Sequence, residues 1–265
     1  MIKSTTFACL IFIITCVDAN KPNITSITLS PHLTELVFSA GGKDSLIGIS
    51  AYSNYPEATK NLPIIGDAFR LDFEMIKSLQ PDLIFYWRNG TANQVIQQLD
   101  ELGFKLHEIS INQLSDIPSA IENIANALKT TPLEAPKLFT QRLDQLKSHR
   151  LKQKTALIQI SDKPIYTVNG LHWMSEAIAV CGLSNVYAEL SALSAAVTLE
   201  SVVLNKPEVL VRLEPLANEN QLASWKSIPA VKNQHIAVLE ADHFTRPTLR
   251  TLLAIESLCE QVEAF

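Results

Sequence analysis

Two stretches of this chain follow one frame. Residues 73–84 read Phe-Glu-Met-Ile-Lys-Ser-Leu-Gln-Pro-Asp-Leu-Ile, and residues 199–210 read Leu-Glu-Ser-Val-Val-Leu-Asn-Lys-Pro-Glu-Val-Leu. In each, an acid one step after an apolar residue opens a short helical pattern. Proline then stops the pattern, and an acidic residue leads into an apolar strand run. Glu74 and Glu200 stand too far apart for a solenoid repeat and suit two similar lobes in one chain. A second echo, Glu35-Leu-Val-Phe-Ser-Ala-Gly41 against Glu176-Ala-Ile-Ala-Val-Cys-Gly182, keeps one spacing. Two related α/β lobes are expected, residues 20–130 and 153–265, with residues 131–152 between them.

Strand and helix patterns alternate through both halves, as in parallel sheets covered by helices on both sides. In the first half Ile24–Leu29, Leu46–Ser50, Asp82–Tyr86 and Lys105–Ile109 read as strands, and His32–Ala40, Asn93–Glu101 and Ile117–Leu128 as helices. In the second, Thr155–Ile160, Ile165–Val168, Val209–Leu213 and His235–Leu239 read as strands, Trp173–Val180 and Thr248–Val262 as helices, and Tyr187–Ala196 as a loop. Between the halves Leu138, Phe139, Leu143 and Leu146 recur at helical spacing, which predicts a helix from about Pro132 to Leu151. Such a strut, ~30 Å long, would let the lobes move little. An ordinary crossover helix within a single sheet is the alternative.

The start carries Lys3, an apolar run from Phe7 to Ile14 and small residues at Val17-Asp18-Ala19, which reads as a signal peptide over residues 1–19 and implies a periplasmic protein. The run is too short to span a bilayer comfortably. Lys21-Pro22 breaks the pattern, against a buried N-terminal helix; Cys16 is an alternative lipidation site, although Thr15 suits it poorly. Cys181 and Cys259 then remain in the mature chain. They form either one bridge, worth ~4 kcal/mol in the entropic picture, or two buried thiols; export favours the bridge. A net charge of −5 offers no basic face for nucleic acid.

No nucleophile motif, phosphate loop or dinucleotide fingerprint is present, so no catalytic residue and no cofactor are expected. No two of the six histidines form a His-x-x-x-His pair. His32, His172 and His243 at strand-end loops are the one set that would gather a metal, a minority reading. His107 reads as a core or edge residue and His149 as a solvated one. Aromatic residues point instead to a large flat ligand held between rigid lobes. Tyr52, Phe69 and Trp87 fall on loops leaving strands, where ligands sit in parallel sheets. Trp87 is the strongest candidate, because Trp-Arg-Asn-Gly puts a large ring at a turn; Trp173 and Trp225, on expected helices, read as packing residues. Glu74 and Glu200 each suit a helix N-terminus, and as a pair they suit a two-fold symmetric partner.

Together these residues resemble the family of periplasmic cobalamin-binding proteins that serve ATP-binding-cassette importers, over nearly all of the mature chain. The most specific pieces are Ile27-Thr-Leu-Ser-Pro31 with Thr34-Glu35-Leu36, Tyr52-Ser-Asn-Tyr-Pro56, Pro81-Asp-Leu-Ile84 with Trp87-Arg88, Val180-Cys-Gly182, and Asp242-His-Phe-Thr-Arg246 with Arg250. The resemblance implies the class III arrangement of substrate-binding proteins, two lobes bridged by one long helix with a corrinoid between them. It implies ligand contacts by Tyr52, Trp87, Tyr166 and the segment Asp242, His243, Phe244, Thr245 and Arg246, and a Cys181–Cys259 bridge. It also implies docking of Glu74 and Glu200 on arginines of a membrane permease dimer, and a non-enzymatic protein, monomeric when free. The chain departs from the family at two tryptophan positions, where Ala68 and the run Leu193-Ser-Ala-Ala196 stand. A corrinoid with a different lower face, or a haem, siderophore or metal ligand, fits such a changed wall. A corrinoid-modifying enzyme is the alternative from a different class.

Overall fold

The computed structural model describes residues 24–149, 152–214 and 221–265. The expected leader and Cys16 lie outside the described residues. The first lobe runs β1 (Ser26–Thr28), α1 (Pro31–Ser39), β2 (Leu46–Ile49), α2 (Phe73–Leu79), β3 (Leu83–Trp87), α3 (Asn93–Glu101), β4 (Leu106–Ile109) and α4 (Asp116–Leu128). Helix α5 (Ala135–Ser148) crosses to the second lobe. That lobe runs β5 (Lys154–Gln159), β6 (Ile165–Val168), α6 (Trp173–Val180), β7 (Leu183–Asn185), β8 (Ser194–Val197), α7 (Leu199–Asn205), β9 (Val209–Glu214), α8 (Pro229–Asn233), β10 (Ile236–Glu240), α9 (Ala241–Thr245) and α10 (Thr251–Glu263).

Each lobe holds a four-stranded parallel sheet, ordered β2-β1-β3-β4 in the first and β10-β9-β5-β7 in the second. Read from the other edge, the second order matches the first strand for strand. The second lobe adds an antiparallel pair, β6 with β8. The sequence pattern shows β6 but leaves β8 as loop, because Ser-Ala-Ala-Val carries little intrinsic strand preference and takes its conformation from its partner.

The repeated frame is one device used twice. Asp72 caps α2 by accepting from Met75 N, and Thr198 caps α7 by accepting from Ser201 N. Both helices end in the left-handed region, at Gln80 (φ 48°) and Lys206 (φ 47°). The acid after each proline then ties its strand to the central strand of its sheet. Asp82 Oδ2 accepts from Thr25 N and Oγ1, both at 2.8 Å. Glu208 Oε2 accepts from Thr155 N at 2.8 Å and Oγ1 at 3.1 Å. The shorter echo is equally regular: Gly41 (φ 75°) and Gly182 (φ 73°) follow α1 and α6 in a conformation glycine adopts without a Cβ penalty.

These backbone donors hold both carboxyls below the ordinary range: for Asp82 the Thr25 N–H is the largest cause, for Glu208 the Thr155 N–H. A carboxyl lowered by folding contributes stability that is fully present above its unfolded value and lost as pH falls through its folded value. The melting temperature is therefore expected to drop as pH falls below 4.5 and then 3.8, the ordinary values of the two groups. Asp82→Asn with Glu208→Gln is expected to flatten that acid limb. An acid limb of unchanged steepness in the double variant would remove the two carboxylates from the explanation.

The connecting helix is shorter than the expected 132–151. Pro136 sits in its first turn, so the helix starts at Ala135, and His149 leaves it with extended backbone. At ~21 Å it is not the sole source of rigidity. One buried apolar cluster runs from α1 and α4 through Phe139 and Leu143 of α5 into α6 and α10, so the two lobes share a core. Cys181 and Cys259 are disulfide-bonded within the second lobe. Trp173 is buried as expected, whereas Trp225 lies in an irregular turn and not on a helix, and is 41% exposed. No helix of the described residues is long and apolar enough to cross a membrane.

Candidate functional site

The carboxyl ends of the parallel strands in both lobes open onto the seam between them, the position at which ligands bind in such sheets. There a charge cluster joins the lobes. Glu35 of α1, in the first lobe, meets Arg246 Nη1 at 3.2 Å and Arg250 of the second lobe at 2.5 Å (Nη2) and 2.9 Å (Nε). Arg246 also donates to Tyr52 O at 3.0 Å and Asn54 Oδ1 at 2.7 Å, and pairs with Asp242 at 2.7 Å. Asn54 in turn donates to Asp242 Oδ2. Arg250 lies 4.2 Å above the Tyr55 ring. On the opposite side Glu176 of α6 accepts from Leu114 N of the first lobe at 2.7 Å and from Lys147 Nζ of α5 at 3.0 Å. The two echoed glutamates are thus both ties between parts of the molecule.

Beside the charge cluster lies a cavity of about 270 Å³ in the first lobe's wall, closed on one side by Thr245 and Arg246 of the second lobe. Its apolar lining comes from Leu29, Pro31, Ala68, Leu71, Trp87 and Val95. His32 also faces it from the first turn of α1, edge-on to Trp87 with ring centroids 5.0 Å apart. Burial, and then the charge of Arg246, push His32 down to about 3, so its imidazole stays neutral near pH 7. Trp87 closes β3, and its ring folds over Gly90: a Cβ there would lie 2.1 Å from the ring. A cavity of only about 10 Å³ lies between Trp87 and Ile111 of the first lobe and Leu171 and Leu193 of the second.

The sequence profile of periplasmic binding proteins matches residues 27–243. The chain belongs to the periplasmic binding protein family. Among similar proteins, the vitamin B12-binding protein of Vibrio campbellii is 35% identical over 251 residues, covering 92% of this chain and 91% of that protein. The protein of the same name from Yersinia pestis is 32% identical, covering 89% and 85%. Among solved structures, the periplasmic vitamin B12 binding protein of Vibrio cholerae superposes with a TM-score of 0.83 at 31% identity, over 92% of this chain and 98% of that one. A periplasmic haem-binding protein of Vibrio cholerae shares the fold, with a TM-score of 0.75 at 18% identity over 91% and 99% of the two chains.

In this periplasmic binding protein the expected site residues fall into three groups. Tyr52, Trp87, Thr245 and Arg246 lie at the charge cluster or the cavity beside it, and Tyr166 lies on β6 of the antiparallel pair. Tyr52 is 78% exposed in a left-handed backbone conformation. Tyr166 on β6 pairs with Ala196 of β8, whose small side chains leave the ring uncovered. Asp242 and Arg246 are engaged in the interlobe cluster, and His243 pairs with Glu240 at 2.9 Å. One expectation needs correction. Phe244 has no exposed surface and packs against Trp173, because the unforeseen helix α9 turns it inward. Phe69 is 95% exposed, next to the cavity-lining Ala68.

The histidine reading is also corrected. His32 is buried beside Trp87, His172 caps α6 by accepting from Met174 N, and His243 faces Glu240. Among the described residues no three ligand side chains come together. Glu74 and Glu200 are both exposed at the N-termini of α2 and α7. Sequence reasoning missed Asn54 and the burial of Glu35. An acid inside the apolar run Glu-Leu-Val-Phe was the available signal for the latter, since a charge on a buried face needs a partner.

Proposed function

We propose that this chain is the exported, non-enzymatic binding subunit of an importer, capturing cobalamin or a related corrinoid between its lobes and passing it to a membrane permease. The observation that carries this reading is the identity of 31–36% with vitamin B12-binding proteins over most of the chain, with an aromatic seam at the strand ends. Tyr52, Trp87 and Tyr166 supply ring contacts, and Thr245 and Arg246 border them. A signal peptide over residues 1–19 directs the chain to the periplasm. The interlobe charge cluster and shared core keep the cleft preformed, so binding loses little to reorganisation.

Glu74 and Glu200 serve as paired docking acids for cationic pockets of a permease dimer. Purified mature protein is expected to bind cyanocobalamin at a single site by calorimetry; no heat and no thermal stabilisation at millimolar ligand would reject the reading. Glu74→Ala with Glu200→Ala is expected to leave that affinity unchanged. The double variant is expected to lose labelled-corrinoid uptake by the intact transporter, because both docking charges are removed. Normal uptake by the double variant would refute the docking role.

A further inference from the structure

We propose that the cavity in the first lobe's wall receives a nucleoside or base carried on the axis of the bound macrocycle, so that this chain selects corrinoids by their axial group. The inference rests on the corrinoid reading above. A flat macrocycle held between two lobes turns one face to each, and any group on its axis runs into a lobe wall. The first lobe's wall has an opening there. At about 270 Å³ it falls just under the ~300–1,000 Å³ range of small-molecule pockets, too small for a macrocycle and of the scale of one nucleoside.

Its chemistry matches that guest. Trp87 and Pro31 offer flat apolar surface to an aromatic heterocycle, and Asp67, Thr91 and Thr245 add polar groups suited to sugar hydroxyls. Two enclosed polar atoms of its lining residues, His32 Nε2 and Trp87 Nε1, find no partner in the protein. Buried polar atoms are rarely left so. Both atoms are closed off from the cavity's free space, so they belong to the wall behind its lining, and the guest is recognised by the flat apolar surface and the polar groups named above.

The opening depends on one small residue. The loop carrying Ala68 is pinned: Gly66 (φ +126°) leaves no room for a Cβ, which would meet Arg70 O at 2.2 Å. Asp67 Oδ1 accepts from Phe69 N and Arg70 N, each at 2.8 Å. A ring at position 68 is therefore held against the cavity.

The test is calorimetry on wild type and Ala68→Trp with adenosylcobalamin, cyanocobalamin and dicyanocobinamide. The first two differ in the upper axial group, the last two in the lower base. Ala68 is exposed, so the substitution is compatible with folding; Ala68→Leu gives a milder fill, and melting curves check both. The expected result is that Ala68→Trp weakens adenosylcobalamin about ten-fold or more relative to cyanocobalamin, placing the upper nucleoside in the cavity. An equal excess loss for cyanocobalamin over dicyanocobinamide supports the same cavity with the lower base as its guest. The same factor for all three ligands overturns the inference while leaving the corrinoid reading intact. A wild type that binds none of them overturns the corrinoid reading itself, and this inference with it.

Discussion

Glu35→Gln is expected to lower the unfolding free energy by about 3–5 kcal/mol, the cost of breaking a buried ion pair from one side. The side chain of Glu35 is only 3% exposed, and those of Arg246 and Arg250 are 10% and 15% exposed. One carboxylate therefore balances two guanidinium groups in a space that water hardly reaches. Asp242 answers Arg246 in part, but it is itself 28% exposed and sits on the same side of the seam as the arginine. The amide keeps the shape and one acceptor and removes the charge, leaving Arg250 over the Tyr55 ring without its hydrogen-bonded carboxylate and with only the weaker fields of Glu240 and Asp242. Glu176→Gln is the control. Its partner Lys147 is 43% exposed, and the amide still accepts from Leu114 N, so a loss below about 1 kcal/mol is expected. Chemical unfolding of both variants measures the contrast; equal losses would mean that burial at the seam adds nothing to the Glu35 cluster.

What was legible in the sequence was local. The frame around Glu74 and Glu200 announced itself through a cap, a proline and an acid within a dozen residues, and each acts on neighbours or on an adjacent strand. Gly41 and Gly182 likewise act where they stand. The site was legible only in part, because its decisive contacts join residues remote in the chain. The tie between Arg246 and Glu35, at a sequence separation of 211, has no local signal in the sequence. Phe244 is a ligand residue only by the resemblance, and the five-residue α9 turns it to the core. Trp87 was expected on an exposed turn. Gly90 lets the ring lie down on that turn, so it becomes the wall of a cavity and not a protruding plate.

Removing the Cys181–Cys259 bridge is expected to cost about 4 kcal/mol and to leave ligand affinity unchanged. The bridge spans 78 residues of the second lobe, and closing so long a loop removes entropy from the unfolded chain. It is not needed to hold the folded lobe in shape. The Cα atoms, 4.8 Å apart, join α6 to α10, and Val180, Ile255 and Leu258 already belong to one apolar cluster there. Neither cysteine touches the seam, which α1, α9 and the strand-end loops build. Stability and binding should therefore separate. Cys181→Ala with Cys259→Ala, and the reduced wild type, should shift the urea midpoint downward alike and show a larger dependence on denaturant, since the freed chain exposes more surface when it unfolds. Calorimetry should give wild-type ligand affinity in both. If affinity falls along with stability, the bridge shapes the folded cleft, and the entropic account of its role is wrong.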